Sequence, residues 1–538
     1  MGFSVLFCKF AALKAVCRGA EKGIPRSSFG KQLVQKQLMQ KYHHLSLQTL
    51  LSVLLGLMAG LPVLGQPAAV GMAGHEALSE PDSAASEVLS ISFLTCTPGH
   101  EVHRLYGHTA LRIQTEREDW AVNFGWFSFD TPGFVMKFIL GLTDYSAAWQ
   151  TMPLFVYDFA HDGMGVTEQQ LSLTPAEARR VRQAMRSVLE AKGYNVYDIP
   201  MKGLEGEVFP QQVMAANWTY RYNFLYDNCT TRAVDAIRAA IEAEGEQLIF
   251  PTIDSGGDYK TQRSMIHEFT GKSPWYELGQ DLLLGPEVDE PHSVQTLAKM
   301  WSRHGADEDY AAVSEPRNFL PAYALQFFDH ACIRDAQGHL RPLVTRTVNL
   351  SPFLQRTPDR PAFPLSPLMA AGFLLAAACL VSLGEWKSRA RNSLDATVRA
   401  WRIWGNAFDI LLWTTMGIVG CILTILTGWS EHPAVGTNWL TFLFCPAFLL
   451  AIVWRFCSSV GDFAVALVSL LAVVLTLISR LAGLQHIPAA VLLFALAVGL
   501  RAVVAVGRCQ HDSLRPRRKW AAVVFVAAYL LLQAVAWG

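Results

Sequence analysis

The stretch YRYNFLYDNCTTRAVDAIRAAIEAEG, residues 220–245, decides how the first half of this chain folds and where its chemistry lies. Val234, Ile237 and Ile241 recur at helical spacing, and Gly245 supplies a stop. Asp227 and Asn228 are capping-type residues, so the helix is expected to start near Cys229. A helix N-terminus carries partial positive charge and unpaired backbone N–H groups. Both favour the thiolate, which is the reactive form of cysteine. The same N–H groups can hold the oxyanion of an acyl-transfer intermediate. The competing reading is a small, buried core cysteine.

A reacting thiol needs an imidazole to take its proton and return it to a leaving group. LYGHTALRI, residues 105–113, places His108 at the start of a strand, after a glycine that lets the backbone turn. His100 and His103 lie in the preceding loop, and His161 lies in a separate FAHDGMG turn. WAVNFGWF, residues 120–127, puts Asn123 on the strand expected beside that of His108. Thiol enzymes often orient the imidazole with Asn or Asp; a strand Asn is more commonly a local hydrogen-bonding residue. Arg221, Arg232 and Asp235 flank the thiol motif and suit salt-bridged structure as well as substrate contact. Asp162 and Asp289 have no metal-ligand spacing around them.

The surrounding segments read as α+β. EVLSISFLTC, ALRIQT and WAVNFGWFSF are strand-like. Thr174-Pro175 followed by Glu177 is a capping-box helix start. Of ten cysteines, only Cys96, Cys229 and Cys332 belong to this part, so at least one stays unpaired within it. A free thiol on the oxidising side of a membrane invites a search for a catalytic partner.

That side is set by the flanks. SLQTLLSVLLGLMAGLPVLGQPAA, from Ser46, has the short basic lead, apolar core and small residues of a signal peptide. Residues 1–38 suit such a leader poorly, so Met39 is the expected initiator; an uncleaved signal anchor is the alternative. Residues 67–87 read as a flexible spacer, 88–350 as the export-side domain, and 351–366 as a proline-rich linker. Six apolar spans follow, near 367–385, 408–428, 438–454, 462–479, 487–507 and 520–537. With the domain outside, the inner connections hold twelve Lys and Arg residues, Arg501 counted among them, and the outer ones hold only Arg480. That is a positive-inside pattern, and it places the C-terminus outside. Net charge is zero, so no polybasic surface points to a nucleic-acid partner.

Histidine on a strand, then Asn-Cys at a later helix start, resembles the permuted papain-like thiol enzymes, including NlpC-type peptidases and the lecithin–retinol acyltransferase family. More closely, LTCTPGHEVHRLYGHTALRI, VNFGWFSFDTPGF and YRYNFLYDNCTTR resemble the Lnb family of bacterial lipoprotein N-acyltransferases, with PWYELGQDLLLG in support. The resemblance covers roughly residues 88–330. It implies an α+β, permuted papain-like periplasmic domain fused to an all-α bundle of about six transmembrane helices in the inner membrane. It also implies that Cys229 and His108 are the catalytic pair; Asn123 is expected beside them as the orienting residue, with Asn228, Tyr106 and Arg232 as adjoining substrate contacts. The acyl donor would be a phospholipid of the bilayer and the acceptor the amine of a diacylglyceryl-cysteine lipoprotein. A thioester stores the acyl group, so no cofactor is expected. Two other readings stand beside this one: a membrane-anchored thiol hydrolase of cell-wall peptides, and a non-enzymatic membrane scaffold.

Overall fold

The computed structural model describes residues 89–99, 104–116, 119–127, 132–133, 137–138, 140–190, 194–197, 212–215, 220–250, 261–271, 273–289, 319–351, 365–390, 396–457, 462–509 and 516–537. The expected leader, the start at Met39, the spacer, His100, His103 and most of the linker lie outside the described residues.

The export-side part is a mixed α/β domain built on an antiparallel sheet. Its strands are β1 (Ser90–Cys96), β2 (His108–Gln114), β3 (Asp119–Trp126), β4 (Asp144–Thr151), β5 (Val166–Leu171), β6 (Tyr194–Tyr197), β7 (Gln212–Ala215), β8 (Tyr220–Arg221), β9 (Gln247–Ile249), β10 (Cys332–Arg334), β11 (Leu340–Pro342) and β12 (Val344–Asn349). Among the described residues, the main sheet runs β12-β5-β1-β2-β3-β4-β7-β6, with β8 on β4, and β9 to β11 form a smaller sheet. The helices of this domain are α1 (Met152–His161), α2 (Pro175–Glu190), α3 (Cys229–Glu242), α4 (Gln262–Thr270), α5 (Pro274–Leu283) and α6 (Pro321–His330).

Strand alternation sorts the core into two layers. Ile91, Phe93, Leu111 and Ile113 face one layer, which they share with Val234, Ile237 and Ile241 of α3. Leu94, Cys96 and Ala110 face the other, shared with Met152, Phe155 and Phe159 of α1. Both faces of β1 and β2 are therefore covered, and even polar side chains on them, Ser92, Thr95 and Thr109, are buried. The capping box expected at Thr174 is present: the Thr174 N–H donates to Glu177 Oε2 at 2.6 Å, and the Glu177 N–H to Thr174 Oγ1 at 3.3 Å.

The second half holds α7 (Pro367–Ala390), α8 (Ala396–Trp429), α9 (Ala447–Cys457), α10 (Asp462–Leu481), α11 (Ala489–Cys509) and α12 (Pro516–Trp537). Among the described residues four stretches are long and apolar enough to cross a membrane: Pro367–Ser388, Ala396–Trp429, Phe463–Leu481 and Ala489–Gly507. In the last helix the described apolar stretch, Val523–Trp537, is shorter.

The expected third span differs most from the sequence reading. Its helix α9 has 11 residues, about 16 Å at ~1.5 Å per residue, roughly half of a hydrocarbon core. Asn438, Thr441, Leu443 and Cys445, ahead of it, are buried without forming an α-helix. Irregular backbone is tolerated at such depth only where protein satisfies it. Here Gln533 Nε2 donates to the Thr441 carbonyl and the Tyr529 hydroxyl to that of Phe442, each at 2.8 Å. Arg501 also departs from expectation. It is buried among three helices, 2.7 Å from Asp409 and 2.9 Å from Glu385, and is no loop cation.

The two halves meet through polar contacts. The Gly285 N–H donates to the Ala434 carbonyl at 2.7 Å, Asn438 Nδ2 to Leu282 at 2.8 Å and Gln485 Nε2 to Leu284 at 3.1 Å. Leu278 and Leu282 of α5 pack on the membrane-helix core.

Candidate active site

Helix α3 begins at Cys229, as the cap residues suggested, and Asn228 is its cap. Asn228 Oδ1 accepts from the N–H groups of Thr230 at 2.8 Å and Thr231 at 3.0 Å, and the Thr231 hydroxyl accepts from the Asn228 N–H at 2.8 Å. Asn228 Nδ2 donates to the carbonyls of Phe224 at 2.7 Å and Phe319 at 2.8 Å. This side chain is 2% exposed and spends its amide on the protein, so the substrate contact expected of it has no free polar atom to use. Two N–H groups of the first turn are likewise taken by the cap and are not free for an oxyanion.

Strand β2 starts at His108, at the end of the sheet where the N-terminus of α3 also arrives. The Thr109 and Thr230 hydroxyls bond at 3.0 Å and tie strand to helix. His108 Nε2 lies 2.9 Å from Asn123 Oδ1. That oxygen can only accept, so Nε2 carries the proton and Nδ1 is left for the thiol. Phe159 stacks on the imidazole, with ring centroids 5.3 Å apart, and holds its plane.

Cys229 is partly buried. Burial is the largest single influence on its thiol and raises its pKa. The charge and hydrogen bond of His108, the backbone bond from Thr109 and the Thr230 hydroxyl together outweigh burial, and hold the thiol below its ordinary value. The structure therefore brings together Cys229, His108 and Asn123, and polarises the thiol towards thiolate.

The other expected contacts have structural partners. Arg232 bonds Asp227 at 2.6 Å and lies over the Tyr220 ring at 3.8 Å. The Tyr106 hydroxyl accepts from Gln280, and its ring packs on Phe224 and Phe269. Arg221 pairs with Asp144, Asp162 with Arg104 and Asp289 with Arg263.

Residues 81–199 match the Lnb N-terminal periplasmic domain and residues 359–511 the Lnb transmembrane domain, together about half of the chain. The chain belongs to the Lnb family. His108 and Asn123 fall inside the matched Lnb periplasmic segment, whereas Cys229 lies 30 residues past its end, at 199. No curated protein and no solved structure matches the chain.

Sequence reasoning named Cys96 without connecting it to this site, and missed Gln150 and Asp158, which support it from a distance. Cys96 is the cross-strand partner of His108 and lies within electrostatic reach of Cys229; burial pushes its own thiol up. Gln150 and Asp158 join Asn123 from β4 and α1. Periodicity marks β4 as a strand, but nothing local distinguishes a buried Gln that serves another strand's Asn.

Proposed function

We propose that this protein moves a fatty acyl chain from a membrane phospholipid to the N-terminal amine of a diacylglyceryl-cysteine lipoprotein, through a thioester on Cys229. One observation carries the reading. The loop that presents the polarised thiol shares an apolar core with an outer membrane loop: Leu225 and Tyr226 cluster with Met265, Ile266, Val288 and Ala434. A thiol in that position meets substrates anchored in the bilayer, which raises their effective concentration. We read the setting as the periplasmic face of a bacterial inner membrane, and the cysteine helix against antiparallel strands bearing His and Asn as permuted papain-like.

His108 Nδ1 takes the Cys229 proton. The thiolate attacks the ester carbonyl, and the oxyanion is met by the Cys229 N–H, the first-turn donor that the Asn228 cap leaves. The tetrahedral intermediate collapses, the ester C–O bond breaks, and the lyso-phospholipid leaves with the proton from His108. The lipoprotein amine then attacks the thioester. His108 takes a proton from it, the C–S bond breaks, and the amide is formed as the thiol is regenerated. Asn123 keeps the imidazole aligned through both steps. No cofactor enters.

The test supplies the full-length protein in phospholipid nanodiscs with a synthetic diacyl lipopeptide. The expected products are triacyl lipopeptide and lyso-phospholipid in equal amounts. Free fatty acid with an unmodified lipopeptide amine would make the protein a hydrolase and overturn the proposal.

A further inference from the structure

We infer that Gln150 and Asp158 are positioning residues that act through Asn123 to fix which ring nitrogen of His108 carries a proton. The inference rests on the reading of Cys229 and His108 as a working pair.

The geometry is a chain of three side-chain hydrogen bonds behind the imidazole. Asn123 Oδ1 lies 2.9 Å from His108 Nε2, Asn123 Nδ2 donates to Gln150 Oε1 at 2.8 Å, and Gln150 Nε2 donates to Asp158 Oδ2 at 2.9 Å. Asn123 and Gln150 are 1% and 2% exposed, so neither amide has water as an alternative partner. Strand register puts both on the face that α1 covers: Asn123 pairs with Ala148, and Gln150 lies two residues further along β4. Asp158 and the ring-stacking Phe159 are neighbours on α1.

An amide has one accepting and one donating end, and nothing in its shape decides which way it points. An ionised carboxylate only accepts. Asp158 therefore obliges Gln150 to present its NH2 group. Gln150 then presents its oxygen to Asn123, which turns the Asn123 oxygen towards His108. That oxygen holds the proton on Nε2 and leaves Nδ1 unprotonated for the thiol. When Cys229 gives up its proton, the imidazolium keeps its Nε2–H on an acceptor. Reversing the chain would aim the Asn123 NH2 group at Nε2 and put the proton on Nδ1, where it cannot accept from sulfur. Arg104, in the loop before β2, and His161, on α1, are the charged groups facing Asp158, and both favour its ionised form. Burial works against them and raises its pKa, so the order of the chain is open to reversal as pH falls.

The test reads thiolate directly, on the full-length protein in nanodiscs. The rate of iodoacetamide alkylation of Cys229 is followed against pH by peptide mapping. The wild type is expected to alkylate with a midpoint below that of an ordinary thiol. Asp158→Asn should raise the midpoint by about one pH unit, about tenfold less thiolate at a given pH below it. Gln150→Met, which keeps the volume but breaks the chain, should do the same. In an Asn123→Ala background, Asp158→Asn should add nothing. A wild-type profile in Asp158→Asn and in Gln150→Met would overturn the inference. So would equal shifts with and without Asn123, which mark a general structural effect. A wild type that alkylates as an ordinary thiol would remove the pair, and the chain with it. Acyl transfer is not read here, so alkylation as expected with no acyl product would overturn the proposed function and leave the positioning chain standing.

Discussion

Asn123 Oδ1 lies 2.9 Å from Nε2 of His108 across neighbouring strands of one sheet. The bond fixes the tautomer and the ring plane, so under the proposed function Asn123 is expected to act on the chemical step and not on substrate binding. Asn123→Ala should lower kcat by on the order of 10²-fold, with KM little changed. Acyl-transfer kinetics with lipopeptide varied would read the split. A rise in KM at constant kcat would show that Asn123 serves binding instead.

Asn228 makes four hydrogen bonds with one side chain, two with N–H groups of α3, one to the carbonyl of Phe224 in its own loop and one to that of Phe319, 91 residues away. Losing a helix cap costs about 1 kcal/mol, and each orphaned buried acceptor adds about 1–3. Asn228→Ala should therefore lower the unfolding temperature of the periplasmic domain clearly, measured by thermal unfolding in detergent. An unchanged unfolding temperature with lost activity would return Asn228 to the substrate side of the site.

Asp235, on α3, has its carboxyl pushed up to about 7, chiefly by burial, against the opposing charge of Arg238. Its unfolded value is near 3.8, so between about pH 4 and 7 the folded protein holds a proton that the unfolded chain has lost. The contribution of this group is thus favourable at low pH and is lost as pH rises through about 7. Asp235→Asn removes that slope. Its stability relative to the wild type should grow from pH 4 to pH 8 in parallel unfolding series. A constant difference would contradict the linkage.

Much of the site was legible because its signals are local. A cap before a cysteine, a 3.6-residue repeat after it and a glycine stop suffice to place α3. Alternation places β1 to β3, with His108 and Asn123 on neighbouring strands. What was not legible depends on contacts between distant segments. Gln150 and Asp158 acquire a role only when β4 and α1 fold beside Asn123. Asn228 looked available to substrate because its partner Phe319 is 91 residues away. Hydropathy could not separate a through-helix from the region of α9, since an irregular stretch buried in protein is as apolar as a span. Arg501 counted as a loop cation because its partners Glu385 and Asp409 lie on other helices.

The membrane topology can be tested apart from the chemistry. Trp537, at the end of α12, packs on Trp439 with ring centroids 5.0 Å apart, and the neighbouring Asn438 bonds the carbonyl of Leu282 in the periplasmic domain. The C-terminus therefore belongs on the side of that domain. An alkaline phosphatase fused after Gly538 should be active in cells, and activity of a cytoplasmic reporter there instead would contradict the arrangement.

The central claim is a covalent acyl group on Cys229. The most direct measurement incubates the full-length protein with phospholipid in the absence of acceptor and maps the adduct by mass spectrometry. A fatty acyl mass that hydroxylamine removes is expected on the Cys229 peptide. It should be missing in Cys229→Ala and unaffected in Cys332→Ala. Acyl transfer at the wild-type rate by Cys229→Ala, with no adduct on the wild-type Cys229 peptide, would contradict it.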